Sequence, residues 1–176
     1  MFKINNLTYQ YDKTRKALDN VSMDFNKGNI IGIIGSNGSG KSTLFNNLMG
    51  ILKSTEGEIL YNGEQIKYDK KSLYNLRKEV GIVFQDPEKQ IFYSMVYDDI
   101  AFGPRNAGLD EESVKYRVED RLKLLNIEHL KDKTALKLSG GEKRMAALAT
   151  VLAMKPSVML LDEPTAFLDP KARRNL

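Results

Sequence analysis

The sequence predicts an α/β fold in which a parallel α/β core follows an antiparallel β region and is interrupted by a helical insertion. A short apolar run that leads through a glycine-rich turn into a helical stretch is the opening of a parallel α/β unit. Period-two alternation flanks this run, and amphipathic helical stretches occupy the second half of the chain. We expect a single domain, residues 1–176, in which 1–85 and 139–176 form the core with its β region and 86–138 form the insertion.

Composition is that of a folded globular protein, with 41% hydrophobic and 28% charged residues. The formal net charge is +4, but 27 basic residues are interleaved with 23 acidic ones. A nucleic-acid surface usually needs a contiguous basic stripe, so we expect no nucleic-acid partner. The sequence has no cysteine, no apolar stretch of membrane-spanning length and no secretory signal at its start. These features favour a cytosolic setting without direct membrane insertion.

The antiparallel region is predicted from two stretches near the N-terminus. LDNVSMDF, residues 18–25, alternates with a period near two, and ILYNGEQI, residues 59–66, contains an Asn-Gly pair typical of tight hairpin turns. Between them, NIIGIIG, residues 29–35, is a nearly continuous apolar run. Such a run predicts a strand covered on both faces, and KSTLFNNLMGIL, residues 41–52, predicts the helix that follows it.

The second half of the chain predicts two further buried strands and two helices. VGIVF, residues 80–84, and SVMLL, residues 157–161, are the strands, and residues 85–108 are expected to be irregular. LDEESVKYRVEDRLKLL predicts a helix capped by Asp110, with its apolar residues on one face. A second helix is predicted to begin near Ser139.

GSNGSGKST, residues 35–43, fits the pattern GxxxxGK[ST] between the predicted buried strand and helix. Glycines let successive backbone N–H groups point at phosphate oxygens, Lys41 adds a positive charge, and Ser42 can ligate Mg²⁺. The alternative is a glycine-rich turn that merely connects strand to helix, but pattern and context both favour a phosphate site. The predicted nucleotide-binding residues of this phosphate loop are Gly35, Ser36, Asn37, Gly38, Ser39, Gly40, Lys41, Ser42 and Thr43.

Asp162 and Glu163 directly follow the apolar run SVMLL. Two carboxylates at the end of a buried strand are costly unless they meet a cation or polar partners. Alone, the pair could equally well have no catalytic role and be a helix cap or strand-end charge. Together with a phosphate loop, they predict that Asp162 holds the Mg²⁺ of bound ATP through water and that Glu163 orients or deprotonates an attacking water.

The segment KLSGGEKRMAALA, residues 137–149, has two compatible interpretations. Ser139 followed by Glu142 is a capping box, which needs no function. Capping does not require Gly140 and Gly141, however, and exposed amides at a helix N-terminus make an anion site. A γ-phosphate presented by a second molecule could therefore dock there.

The phosphate loop, LSGGE and LLDEP, in this order, resemble the nucleotide-binding subunit of an ABC transporter over essentially the whole chain. FQDPEKQIFYSMVYDDIAFGPRNAGL, residues 84–109, is similar to the energy-coupling-factor class of cobalt and vitamin importers. The resemblance implies a P-loop NTPase (RecA-like) core and ATP hydrolysis coupled to uptake of a metal ion or vitamin. It also implies a homo- or heterodimer with another ABC ATPase, an integral membrane transport subunit as partner, and a peripheral place on the cytoplasmic face of the membrane.

The resemblance also assigns roles to single residues. Tyr11 matches an aromatic ring that stacks on adenine; the alternative, which is the weaker one, is an ordinary strand aromatic. Gln85 matches a glutamine that contacts Mg²⁺ and the attacking water, so the implied metal set is Ser42, Gln85 and Asp162. The implied catalytic set is Glu163, Gln85 and Lys41. Asp169, together with Ser139, Gly140 and Gly141, matches residues that meet ATP across the dimer.

The family pattern includes a further strand and a histidine after Asp169, and the sequence contains neither. Its one histidine, His129, precedes LSGGE and is interpreted as a surface or partly packed residue. We therefore expect the fold to be incomplete at the C-terminus and turnover to be slow or the domain unstable. Two alternatives remain: a nucleotide-binding but hydrolysis-deficient partner subunit, and an ABC-type protein acting on ribosomes or DNA, which the DIAFGP stretch disfavours.

Overall fold

The computed structural model describes residues 1–12, 14–86 and 89–163, and the chain divides into two compact units, residues 1–77 and 78–176. The first unit contains strands β1 (Phe2–Gln10), β2 (Lys16–Phe25), β3 (Glu56–Tyr61) and β4 (Glu64–Gln65), helix α1 (Lys41–Leu48) and most of helix α2 (Lys70–Glu79). The second contains strands β5 (Val80–Val83) and β6 (Val158–Leu161), helices α3 (Val96–Asn106), α4 (Glu111–Leu124) and α5 (Gly140–Ala153), and 3₁₀ turns at Glu128–Leu130 and Ala135–Lys137.

The first unit is built on an antiparallel sheet with strand order β2-β1-β3-β4, as the period-two pattern predicts. The β3–β4 hairpin turns at Asn62 and Gly63, both with positive φ, which confirms the predicted turn. The sheet's apolar face is buried; its buried members include Phe2, Ile4, Leu7, Leu18 and Ile59.

Residues 29–34 do not form the predicted buried strand, and this expectation is wrong. The segment is irregular, and the side chains of Ile30 and Ile34 are almost fully exposed. A strand needs a neighbour to complete its backbone hydrogen bonds. Within the part of the chain that the structure describes, no strand pairs with this segment. The apolar run alone therefore does not produce burial.

The second unit joins a parallel pair of strands to a helical layer. β5 and β6 pair in register from Val80 opposite Val158 to Val83 opposite Leu161, so both predicted strands are confirmed. The helices enclose one apolar core, and α5 contributes to it along most of its length. Core members from α3, α4 and α5 include Val96, Ile100, Ala101, Val114, Val118, Leu122, Met145, Ala146, Ala149 and Ala153.

Helix α3 lies in the stretch that the sequence predicted to be irregular, so this prediction is wrong. Pro104 stands inside the helix, near its end, where it removes one backbone hydrogen bond. Val96, Ile100 and Ala101 share a face that is fully buried in the helical core. Burial of this face outweighs the unfavourable local signal of Gly103-Pro104.

The predicted starts of α4 and α5 are confirmed. The carboxylate of Asp110 accepts from the backbone N–H of Ser113 over 2.8 Å, and Ser139 heads a complete capping box on α5. His129 is exposed, as expected. None of the helices in the described ranges is long and apolar enough to cross a lipid bilayer.

Candidate functional site

The phosphate loop of the first unit ends in a tight turn that only glycine can make. Gly40, the N-cap of α1, has φ of 93°, and a Cβ placed there would lie 2.3 Å from the carbonyl oxygen of Ala17. A positive φ strains other residues, and the contact with backbone leaves no room for a side chain. The turn brings the loop directly into the first turn of α1.

The ammonium group of Lys41 lies within the loop. Its Nζ donates to the carbonyl oxygens of Gly35 and Ser36 over 2.8 and 3.0 Å. Residues 35–39 and Ser42 are exposed, whereas Thr43 is buried. The loop therefore combines an exposed backbone with a fixed positive charge, which suits an anionic ligand.

Tyr11 lies beside the phosphate loop within the same unit. Its hydroxyl is 3.1 Å from Oγ1 of Thr43, and its ring packs edge-on against Tyr9. The residue remains 64% exposed. An exposed ring held at two points presents a face on which a planar group can stack.

Gln85 and Glu163 meet at the carboxyl ends of β5 and β6 in the second unit. Parallel pairing of these strands carries both residues to the same edge, and the N–H of Asp162 donates to Val83 O over 2.9 Å. Nε2 of Gln85 then donates to Oε2 of Glu163 over 2.8 Å. Glu163 has φ of 50°, and Asp162 is buried at 6% exposure.

Arg144 of α5 contacts the candidate site, and the sequence analysis missed it. Its guanidinium donates to the carbonyl oxygens of Glu163 and Gln85 over 2.6 and 2.7 Å, and the residue is 2% exposed. Burial lowers the pKa of Arg144, and the Glu163 carboxylate partly opposes this. In the sequence, Arg144 stands next to Lys143, and two adjacent basic residues are typical of a solvated, charged helix face. The spacing of four from Arg144 to the buried Leu148 is the signal that could have found it.

Two more polar side chains, the half-buried Gln90 and the buried Asp99, hold the segment that follows Gln85. The amide of Gln90 accepts from Phe84 N over 2.8 Å and donates to Ile82 O over 3.0 Å, which extends the edge of β5. The carboxylate of Asp99 accepts from the backbone N–H groups of Phe92 and Tyr93 over 2.8 and 3.1 Å. Neither role was predicted from the sequence.

The LSGGE segment forms the capping box that the sequence predicts. Ser139 Oγ accepts from Glu142 N over 3.3 Å, and Glu142 Oε2 accepts from Ser139 N over 2.8 Å. These bonds, together with Lys133, lower the pKa of Glu142 to about 2. A Cβ at Gly140 would meet no atom within 4 Å among the described residues, so packing inside the chain gives no reason for this glycine.

The predicted site residues thus fall into two groups. Tyr11 and residues 35–43 lie in the first unit, and Gln85, residues 139–141, Asp162 and Glu163 lie in the second. Joint action of the two groups stays a prediction. Asp169 lies outside the described residues. No cluster of three or more His, Cys, Asp or Glu side chains that could hold a metal occurs in the described ranges.

Several curated proteins are similar to this chain over nearly all of its length. An energy-coupling factor transporter ATP-binding protein, EcfA3 of Clostridium perfringens, is 46% identical over 170 residues, covering 97% of this chain and 60% of the relative. EcfA of Methanocaldococcus jannaschii is 48% identical over 164 residues, covering 93% of this chain and 59% of the relative. The chain therefore spans about three fifths of these relatives' length.

Solved structures give the same fold. CbiO1 from Clostridium perfringens, described as part of the ABC transporter complex cbiONQ, matches with a TM-score of 0.87 and 46% identity over 97% of this chain and 68% of that one. The ATP-binding cassette MJ0796, in a dimeric post-hydrolysis state with ADP and Pi, matches with a TM-score of 0.90 and 29% identity over 99% of this chain and 79% of that one.

The family model described as ABC transporter matches residues 18–166, which is well over half of the chain. This range contains the phosphate loop, the LSGGE segment and both strand-end carboxylates. The chain therefore belongs to the ABC transporter family and has the fold of its ATP-binding cassette.

Proposed function

We propose that this chain is the ATP-binding subunit of an energy-coupling-factor type importer, and that it couples ATP hydrolysis to uptake of a metal ion or vitamin. The observation that carries the hydrolytic part is the hydrogen bond between Gln85 and Glu163 at the edge where β5 and β6 end. A carboxylate held by an amide has a defined orientation, which a base that acts on water needs. The names of the similar proteins support the transport part.

In this proposal the phosphate loop binds ATP. Lys41, which bonds the carbonyl oxygens of Gly35 and Ser36, turns its ammonium to the phosphate oxygens, and the backbone N–H groups of residues 35–43 surround them. The exposed ring of Tyr11 stacks on the adenine. Because this ring is anchored through Thr43 of the same loop, base and phosphates are bound by one connected surface.

Glu163 acts as the general base in the second unit. The bond to Gln85 engages Oε2, and the other carboxylate oxygen takes the proton of the attacking water. Gln85 holds that carboxylate in place and so fixes the direction from which water is activated. Lys41 stabilises the negative charge that grows on the transferred phosphoryl group.

The donor set fits Mg²⁺, which prefers hard oxygen ligands and usually binds through one or two carboxylates together with substrate phosphates. Ser42 offers a hydroxyl, Asp162 a carboxylate, and Gln85 its amide oxygen, because Nε2 is committed to Glu163. When bound, Mg²⁺ neutralises charge on the phosphate oxygens.

The LSGGE segment and Asp169 meet the nucleotide of a second ABC ATPase, in a homo- or heterodimer. The N-terminus of α5 supports this, because Ser139 and Gly140 are exposed to solvent. No packing contact within the described residues explains the glycine at position 140. The chain binds the membrane peripherally, at its cytoplasmic face, through an integral transport subunit.

The test is phosphate release by the full chain, assembled with its partner subunits, before and after Glu163→Gln. We expect turnover to fall about 10²- to 10⁴-fold, as for loss of a general base, while ATP affinity is retained. Glu111→Gln, which removes an exposed carboxylate on α4, is the matched control and keeps full turnover. Turnover that survives Glu163→Gln excludes the proposed base. ATP binding without any wild-type turnover identifies a hydrolysis-deficient subunit instead.

A further inference from the structure

We propose that Arg144 is a positioning residue that sets Gln85 and Glu163 relative to one another and ties both to the LSGGE segment. This inference rests on the proposed function, in which Glu163 activates water. It concerns a residue that touches neither nucleotide nor water in that scheme.

The contacts of Arg144 form a closed ring with the Gln85–Glu163 pair. One terminal nitrogen of the guanidinium donates to Glu163 O over 2.6 Å, and the other donates to Gln85 O over 2.7 Å. The side chains of the same two residues bond each other over 2.8 Å. A planar guanidinium with fixed donor directions holds two carbonyls at a set spacing, which a single ammonium does less well.

The burial of Arg144 is hard to explain by packing alone. The residue is 2% exposed, in a row of buried residues on α5 that includes Met145 and Ala146. Removing a charge from water costs several kcal/mol, and apolar residues of similar volume often serve a core as well or better. The contacts of the guanidinium with the backbone of Gln85 and Glu163 therefore give the reason for a buried charge at this position.

Arg144 also gives these residues a mechanical link to α5. It lies four positions after Gly140, in the first half of the helix that LSGGE begins. A helix is stiff over so short a distance, so a shift at its N-terminus moves the guanidinium with it. The carbonyls of Gln85 and Glu163 then move as well. A contact at LSGGE is in this way transmitted through Arg144 to Glu163, the proposed base.

The experiment compares Arg144→Met and Arg144→Lys with wild type in the full chain with its partner subunits. Met keeps an unbranched side chain that fills part of the space of arginine and removes all donors, and Lys keeps the charge. We expect kcat to fall about a hundredfold for Met, the scale expected when a reacting group is misplaced by about 1 Å. For Lys we expect about a tenfold fall. KM and ATP affinity stay unchanged because the phosphate loop is untouched.

Arg117→Met is the matched control. Arg117 of α4 also donates to a backbone carbonyl, that of Ala153 over 3.0 Å at the other end of α5, and its loss should leave kcat within about twofold. All rates are normalised to bound ATP, which corrects for unfolded protein. Wild-type kcat in both Arg144 variants overturns the proposal, and so does a rise in KM that accounts for the whole effect.

A crystal structure of Arg144→Lys gives a readout that does not depend on turnover. We expect the hydrogen bond between Gln85 and Glu163 to be lost while α5 stays in place. If the bond is retained at its length in the wild type, the proposal is wrong, whether or not the wild type hydrolyses ATP. If the wild type does not hydrolyse ATP but the variant structure shows the bond lost, the proposed function is contradicted. The positioning role of Arg144 is then still supported.

Discussion

The carboxylate of Asp99 on α3, which is buried, accepts a hydrogen bond from the hydroxyl of the half-buried Thr150 on α5 over 3.2 Å, and so links the two helices. The same carboxylate accepts from the N–H groups of Phe92 and Tyr93. Its neighbour Asp98 has a half-exposed side chain that forms a surface ion pair with Arg105 over 3.4 Å. The two adjacent aspartates therefore contribute differently to the structure: Asp99 holds backbone and a neighbouring helix, and Asp98 pairs at the surface.

This difference predicts unequal costs for the same substitution. Asp99→Ala leaves the backbone N–H groups of Phe92 and Tyr93 without their acceptor, at about 1 to 3 kcal/mol for each partly buried group, whereas the Thr150 hydroxyl keeps the carbonyl oxygen of Ala146. Asp98→Ala should cost less than about 1 kcal/mol, as is usual for exposed ion pairs. Urea unfolding of both variants measures the two values. Equal costs would show that Asp99 does not hold the segment before α3.

Tyr11 provides a test of adenine recognition that is separate from phosphate binding. Tyr11→Ala should weaken ATP binding by about 1 to 3 kcal/mol, the usual worth of stacking a base on an aromatic ring. Tyr11→Phe keeps the ring and loses only the contact with Thr43, so its affinity should stay close to wild type. Calorimetry with ATP and with inorganic tripolyphosphate separates the effects, and tripolyphosphate should bind all three proteins alike. An Ala variant with wild-type ATP affinity contradicts stacking.

Gly40 and Gly28 form a matched pair for measuring the cost of the close approach in the phosphate loop. Both have positive φ, but a Cβ at Gly28 meets nothing within 4 Å, whereas one at Gly40 lies 2.3 Å from Ala17 O. Gly28→Ala should cost about 1 to 2 kcal/mol from the left-handed backbone alone. Gly40→Ala should cost more and also weaken ATP binding. The prediction fails if chemical denaturation gives the same loss of unfolding free energy for both variants.

Glu142 should make stability depend on pH in a defined direction. Its folded-state pKa is depressed to about 2 from an ordinary value of 4.5 by the Ser139 and Lys133 contacts. A depressed carboxyl pKa stabilises the folded state above the unfolded pKa, and this contribution is lost as pH falls towards the folded pKa. The free energy of unfolding of the wild type should therefore exceed that of Glu142→Gln by about 1 kcal/mol at pH 7. Urea unfolding at several pH values should show this gap narrowing below about pH 4.5, whereas a gap independent of pH argues against a charged cap.

Local patterns predict much of this fold because their physical causes are local. The cap of Ser139, the cap of Asp110 and the turn at Asn62 depend on a few neighbouring residues, and all three are present. The pairing of Gln85 with Glu163 could not be derived from spacing, but parallel strands bring their carboxyl ends to one edge, and the family resemblance named both residues.

The errors arose where distant neighbours decide the outcome. Residues 29–34 have the composition of a buried strand and find no strand to pair with in the described structure. Helix α3 carries a poor local signal at Pro104 and is stabilised by burial against other helices. Arg144 is charged, and only its contacts with carbonyls 19 and 59 positions away show why it is buried.

The pairing of β5 with β6 also sets an order in which the polypeptide can acquire its structure. Gln85 and Glu163 are separated by 78 positions, so their contact must wait until translation has passed both strands. Contacts among α3, α4 and α5 are closer in sequence and lose less chain entropy on forming. We therefore expect a nascent chain to pack α3, α4 and α5 before β5 pairs with β6 and brings Gln85 to Glu163.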